Sequence, residues 1–372
     1  MKFIINSGSL LRQLSYIDGV VSSNTVLPIL EDFLFEIQDG KLTAFATDLE
    51  TSMSATFEVE AKENGKIAIP AKLLMNTLKS MPEQPLTFTI NTKDFSVEIT
   101  SQSGKYKMNG ENGDDFPRIP VAEDTREIKL SSPVLSNAIN KTLFAVGTDE
   151  MRPAMTGVNC EMTPAGILFV ATDAHKLVKY TRTDAKSNKQ TSFIIPKKAL
   201  SLLSGAIPQE ETQVKISYNN SNAFFSFSNI NLICRLIDAR FPDYNAVIPT
   251  ENPNHLVIQT AELNNALKRI IIYANKATHQ VAMKLSGSSL VLSSRDMDYS
   301  NEGTETLVCN YQGEDMEIAF NGRFLIEMLN AMNTEEVEFA MSTPSRAAII
   351  TPTLKNEHED ILMLVMPIMI NN

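Results

Sequence analysis

Asp173 and His175 stand two residues apart, and a carboxylate beside an imidazole is the pairing that orients a general base toward a hydroxyl nucleophile. No Gly-x-Ser-x-Gly elbow accompanies them to present that hydroxyl, so the pair reads as structural rather than catalytic. The histidines (His175, His255, His279, His358) and cysteines (Cys160, Cys234, Cys309) show no zinc-ligand spacing. Neither a Walker loop nor a dinucleotide glycine fingerprint occurs. Acidic pairs such as Glu335-Glu336 read as solvated caps at turns. The expectation is a protein without catalytic residues, metal or cofactor, whose chemistry is binding.

The elements that position these residues come in triplicate. IAIPAKLLMNTLKSMPEQPLTFTI (67 to 90) returns as FIIPKKALSLLSGAIPQEETQVKI (193 to 216) and as IAFNGRFLIEMLNAMNTEEVEFAM (318 to 341). The steps from Pro70 to Pro196 to Asn321 are 126 and 125 residues, and those from Asp48 to Asp173 to Asp296 are 125 and 123. A helix pattern opened by a capping hydroxyl recurs near Ser7, Ser132 and Thr260. Blocks repeating in one order at this period mean three domains in a row, since solenoid units are only ~20 to 50 residues long.

Within each copy, an amphipathic helix comes first: Leu263, Ala266, Leu267, Ile270, Ile271 and Ala274 fall on one face, as do Leu10, Leu14, Ile17 and Val21. Alternating strands follow, joined by turns at Asp39-Gly40 and Pro164-Ala165-Gly166. A second helix opens at Pro70 or Pro196 and stops before Pro82 or Pro208. Two helices beside many antiparallel strands predict an α+β unit with the apolar helix faces on sheet. The expected domains are 1–120, 128–248 and 255–372, with linkers near Pro117 to Thr125 and Pro242 to Asn254.

A net charge of −11 excludes a protein that grips nucleic acid by blanket phosphate neutralisation. The helix patterns nevertheless carry Arg12, Lys72, Lys79, Lys141, Lys197, Lys198, Lys268, Arg269, Lys276 and Arg323 against Asp18, Glu262 and Glu327, an excess of +7 that leaves −18 elsewhere. No apolar run approaches the ~20 residues of a membrane span. MKFIINSGSLL lacks the long apolar core and cleavage site of a signal peptide. An odd number of scattered cysteines points to reduced core thiols and a cytoplasmic home.

Size adds a geometric argument. A domain of about 124 residues is roughly a sphere 35 Å across. Three such spheres in a triangle leave a hole of about 5 Å, while six in a ring leave one roughly 35 Å wide, enough for a solvated duplex. Six domains require two chains joined head to tail.

LPIL (27–30), ATDLE (46–50), ATDAHKL (171–177), FPDYNAVIP (241–249), FNGRFL (320–325) and VMP (365–367) stand in the order of the bacterial sliding clamps, the beta subunits of DNA polymerase III, which the chain resembles over essentially its whole length. The resemblance implies three tandem clamp domains closing as a head-to-tail homodimer into a six-domain ring. Such a ring encircles duplex DNA topologically and without sequence preference, slides, and tethers the replicative polymerase. It implies no enzyme activity and no membrane. Its DNA-facing positions are Asn24, Lys72, Lys79, Lys141, Arg152, Lys197, Lys198 and Arg323. Asn24 stands where an Arg is common, and Pro153-Ala154 replaces a pair of tyrosines. A closed ring needs only weak phosphate contacts, which reconciles basic helices with an acidic chain.

By the same resemblance, a cleft takes short linear motifs of the polymerase, the clamp loader, other polymerases and repair proteins. Its walls are Met155, Thr172, Ala174, His175, Lys176, Leu177, Pro242, Ala246, Val247, Asn321, Phe324, Val365, Met366, Pro367 and Ile368, with Ala246 and Met369 where basic residues are common. Met and aliphatic groups make an adaptable apolar slot; read from its residues alone, VMPIMI is a buried terminal strand. The chain-to-chain contact would pair Lys105, Tyr106, Lys107 and Met108 with Ile272, Tyr273 and Glu302. The alternative for the lysines is an ordinary sheet edge guarded against aggregation.

Overall fold

The computed structural model describes residues 1–22 and 26–370, so Asn24 lies outside the described residues. The chain divides into two compact units, Met1–Ser136 with Lys198–Leu236, and Asn137–Lys197 with Ile237–Asn372. These units do not follow the repeat boundaries, and the reason is strand pairing. Each is organised on one nine-stranded antiparallel sheet assembled from two neighbouring copies.

In the first unit the sheet runs Glu111–Asn112, Gly65–Pro70, Asp32–Gln38, Lys41–Thr47, Thr51–Glu58, Ile230–Arg235, Asn222–Phe227, Gln213–Tyr218, Arg126–Ser131. Its seam is the ladder from Ala55 opposite Ile230 to Thr51 opposite Cys234. A five-stranded sheet of the same unit runs Glu60–Ala61, Lys2–Asn6, Pro85–Ile90, Ser96–Thr100, Lys105–Asn109. Helices α1 (Ser7–Ile17) and α2 (Ala71–Lys79) bury Leu10, Leu14 and Ile17, and Leu74, Met75 and Leu78. Each such side chain contributes roughly 2 kcal/mol of apolar burial.

In the second unit the sheet runs Thr191–Pro196, Gly157–Met162, Ile167–Thr172, Lys176–Arg182, Glu359–Val365, Ala348–Pro352, Glu336–Met341, Asn254–Gln259, Asn310–Gln312. Its seam pairs Lys176 with Val365 and continues to Arg182 opposite Glu359. A four-stranded sheet runs Asn301–Val308, Ser289–Asp296, Gln280–Ser286, Met316–Asn321. The middle copy supplies helix α3 (Ser132–Thr142), most of it in this unit, and α4 (Lys197–Ala206), which belongs to the first unit from Lys198 on. The third supplies α5 (Thr260–Ile270) and α6 (Gly322–Met332), which bury Leu263, Ala266, Leu267 and Ile270, and Leu325, Met328, Leu329 and Met332.

Several local expectations change. Pro70 and Pro196 end strands, and the helices begin one residue later. In the first two copies the repeated hydroxyl is a cross-tie rather than a cap, while Thr260 Oγ1 of the third is buried without a hydrogen-bond partner. Asn6 caps α1, while Ser7 Oγ donates to Pro82 O (3.2 Å) and accepts from Gln84 N (3.0 Å). Ser132 Oγ repeats this with Glu210 O (2.8 Å) and Thr212 N (2.9 Å). Asp39 and Gly40 take positive φ of 50° and 77°, as a tight right-twisting hairpin requires. Glu336 lies in a strand, where its Oε1 accepts from Gln259 Nε2 (2.8 Å). The three cysteines are free and buried, and burial pushes the Cys234 thiol up to about 12.

Among the described residues, Asp32 is a buried carboxylate whose environment opposes its charge strongly. Burial first, then the charges of Glu111 and Glu31, raise it to about 7. An unfolded chain would ionise it near its ordinary value of 3.8. This contribution to stability is therefore full below pH ~4, falls as pH rises toward 7, and is flat above. Asp32→Asn should leave urea stability unchanged at pH 4 and raise it by roughly 2 kcal/mol at pH 8, allowing for solvent screening. Equal effects at both pH values would show that Asp32 is charged throughout.

Candidate functional site

The ATD motif builds the same loop in each unit. Thr172 closes the strand Ile167–Thr172, and its Oγ1 donates to Lys176 O (2.8 Å) and accepts from Ala174 N (3.1 Å). Asp173 Oδ1 accepts from His175 N and Lys176 N, both at 2.9 Å. Ala174 is thereby held at φ 76°. Thr47 and Asp48 make the equivalent bonds to Leu49, Glu50 and Thr51, with Leu49 at φ 77°. In the third copy, Asp296 Oδ1 accepts from Asp298 N (3.1 Å). The spaced aspartates are thus turn formers, and Asp173 spends its oxygens on backbone and on Lys176 rather than on His175's ring.

The second carboxylate oxygen braces the loop against a helix of the following copy. In the first unit, Lys198 Nζ of α4 donates to Asp48 Oδ2 (2.5 Å) and to Val20 O (3.3 Å). In the second unit the cation is on the loop: Lys176 Nζ lies 3.1 Å from Asp173 Oδ2, 3.0 Å from Glu327 Oε2 of α6, and 4.1 Å from the centre of the Phe324 ring. His175 stacks on that ring at 6.5 Å.

The terminal segment completes the site. Val365 is the last residue of its strand and fully buried, opposite both Lys176 and Ala348. Beyond it the chain leaves the sheet: Met366 N donates to His175 O (2.9 Å) and Ile368 N to Ala319 O (2.7 Å). The segment is slung between the ATD loop and the strand leading into α6. Met366 remains 41% exposed, so VMPI is not a wholly buried strand. An apolar cluster of Val170, Leu177, Tyr244, Ala347 and Leu364, with Leu168, Phe241, Ile248 and Leu362 packed on it, includes the residue two before Met366. Tyr244 and Ile248 anchor the 3-10 turn Tyr244–Val247, which holds Ala246 and Val247 exposed. Asn321 caps α6 by accepting from Arg323 N (3.0 Å). Gly147 donates its N–H to Met155 O (2.8 Å) and comes close to Asp173, which sets Met155 beside the loop.

Of the expected pocket residues, the structure ties Met155, Thr172, His175, Lys176, Phe324, Val365, Met366 and Ile368 to the ATD loop and the strand leading into α6, in differing roles. His175, Val247, Met366, Pro367, Ile368 and Phe324 offer accessible surface, while Thr172, Lys176 and Leu177 are buried supports. Tyr244, Phe241, Ala347 and Glu327 escaped sequence reading; FPDYNAVIP contained the first two, and nothing in the sequence marked the others.

The basic positions also differ among themselves. Lys72, Lys79 and Arg323 are exposed. Lys198 is tethered as described, and Arg152 pairs with Asp149 at 2.8 Å. Lys141 is half-buried, donates to Met332 O (3.3 Å) at the end of α6, and lies 6.0 Å from the centre of the Tyr180 ring. Burial lowers its affinity for a proton against the pull of Glu359. It serves as a helix-end cation rather than a free one.

At the sheet edges, Lys105–Asn109 and Asn301–Val308 each pair on one side only. Lys105 and Lys107 flank Glu98 at 3.2 and 3.6 Å, and Tyr106 is 39% exposed. Met108 is corrected: it is 6% exposed, because strand alternation turns it inward opposite Val97. Ile272 and Tyr273 are exposed at 73% and 44%, and Glu302 lies on the open edge strand. Among the described residues no His, Cys, Asp and Glu cluster could hold a metal, and no helix is long and apolar enough to cross a membrane.

Three family models match in order: the DNA polymerase III beta subunit N-terminal domain over residues 1–120, central domain over 129–243 and C-terminal domain over 245–368. The chain is 28% identical over 380 residues to the beta sliding clamp of Synechococcus elongatus, with all of both chains covered. The DNA polymerase III beta subunit of Thermotoga maritima superposes with a TM-score of 0.90 at 26% identity, and the sliding clamp of Pseudomonas aeruginosa bound to griselimycin with 0.93 at 24%; both cover 100% of each chain. Three domain models spanning almost every residue in family order settle the matter: the chain belongs to the DNA polymerase III beta subunit family, the sliding clamps.

Proposed function

We propose that this chain encircles duplex DNA as a head-to-tail homodimer of three-domain protomers, bounded at 1–120, 128–248 and 255–372. In this reading Lys72, Lys79, Lys197 and Arg323 meet the phosphates, and the groove around His175, Phe324 and Met366 receives short linear motifs of polymerases, the clamp loader and repair proteins. It is a DNA sliding clamp and a non-catalytic processivity subunit. The observation that carries the groove is the terminal segment: bonded to His175 O and Ala319 O, it leaves Met366 exposed next to a strand end whose Leu364 belongs to an apolar cluster. A shallow apolar slot with few polar anchors suits peptides of varied sequence. The dimer seam would join the Tyr106 edge to the edge carrying Glu302, lysines facing acids across an apolar centre of Ile272 and Tyr273. Burial of unpaired thiols supports a cytoplasmic setting.

Retention on nicked circular DNA tests the topological part. A particle of twice 41.2 kDa should stay on the circle through gel filtration and be lost once the circle is cut; equal retention on linear DNA would refute encirclement. Lys72→Glu with Arg323→Glu should reduce that retention roughly tenfold at low salt. The particle mass should not change, and unaltered retention would place these residues away from DNA. The groove is tested with griselimycin, the ligand of the Pseudomonas relative. Deleting Met366 to Asn372 should abolish its binding in titration calorimetry and leave the dimer intact, whereas undiminished affinity would move the site elsewhere.

A further inference from the structure

Lys176 is buried, and its side chain, only 7% exposed, sits at the first position of a central strand with all its polar atoms engaged. Its N–H donates to Asp173 Oδ1 and its carbonyl accepts from Thr172 Oγ1. Its ammonium faces Asp173, Glu327 and the Phe324 ring together. Stripping water from an ammonium is costly, so an arrangement of this kind persists where paired carboxylates and a ring face replace the lost hydration. Enclosed in this way, the ammonium is turned toward two carboxylates and a ring of its own chain.

We propose that Lys176 is a positioning residue for the peptide groove: it ties the ATD loop to α6 and so sets how far the His175 wall stands from the Phe324 wall. The proposal rests on the groove reading given above. Three observations carry it. Lys176 lies opposite Val365, the residue from which the terminal segment departs. The next residue on that segment is bonded to His175 O, so loop and segment move as one. Glu327 and Phe324 sit one turn apart on α6, so one cation fixes both the helix and the ring that faces the groove. The first unit uses the same kind of brace with the opposite polarity, the acid on the loop (Asp48) and the cation on the helix (Lys198). The brace is therefore a recurrent device of this fold, and in the second unit it lies under the accessible wall of a groove.

The test uses the full-length protein and griselimycin. Lys176→Arg, which keeps charge and reach, should bind within threefold of the parent. Lys176→Met should bind about tenfold more weakly, because walls held at the right spacing lower the cost of ordering a ligand. Lys176→Met with Glu327→Gln removes one of the two carboxylates left without a cation, Asp173 keeping its backbone donors. It should melt above Lys176→Met, which separates a folding defect from lost positioning, and still bind about tenfold more weakly. A 19F label on Phe324 reads the brace without ligand, and its line should shift or broaden in both Met variants. Parent-like affinity and an unchanged 19F line in the double variant would overturn the proposal. If griselimycin fails to bind the parent, the groove reading falls, and the 19F line alone decides the brace: movement supports it and constancy overturns it.

Discussion

Backbone groups at a sheet edge must be paired, and nearly everything else in this protein follows from how that demand is met. Each copy presents edges that it cannot close with its own strands. The first unit closes one by pairing Thr51–Glu58 with Ile230–Arg235, and the second by pairing Lys176–Arg182 with Glu359–Val365. Because those strands belong to different copies, the hydrogen bonds that complete a sheet also join neighbours. The second of these seams ends at Lys176 and Val365, so the candidate site grows out of the last rung of a ladder.

Electrostatics then acts on what the ladders bring close. Asp48 and Asp173 form the same turn for local reasons, and each has one oxygen left for a cation, distant Lys198 for Asp48 and the loop's own Lys176 for Asp173. That oxygen decides which lysines remain free. Lys198 and Lys176 are consumed as braces, and Lys141 serves the end of α6. Lys72, Lys79 and Arg323 keep their exposure. A count of basic residues on helices therefore overstates the charge available to phosphates.

Much of this was legible because it is local. The period of Leu263, Ala266, Leu267 and Ile270 marks a buried helix face, and Asp39-Gly40 marks a turn whose positive φ angles other residues resist. The repeats themselves revealed three copies. What stayed hidden depends on partners far along the chain. Nothing near Lys176 announces Glu327, and nothing near Ser7 announces Gln84. Met108 was misjudged because an edge strand shows its backbone outward while alternate side chains still turn in. For VMPIMI the residues alone and the resemblance point apart: the apolar run reads as one strand, but the sheet has places only as far as Val365 and Met366 stays exposed.

The shared sheets also separate two meanings of a domain. The stretch that recurs in the sequence is a unit of descent, yet it is not the stretch whose cooperative loss would free a whole sheet. Severing the chain after the first copy would strip Thr51–Glu58 of its Ile230–Arg235 partner. A nearly sealed five-residue apolar and hydroxyl row, Thr51 to Ala55, would become a raw edge open to any passing strand. Severing it before the third would do the same to Lys176–Arg182 and unfasten the groove as well. Duplication multiplied the modules, and pairing across their borders made them dependent on remaining one chain.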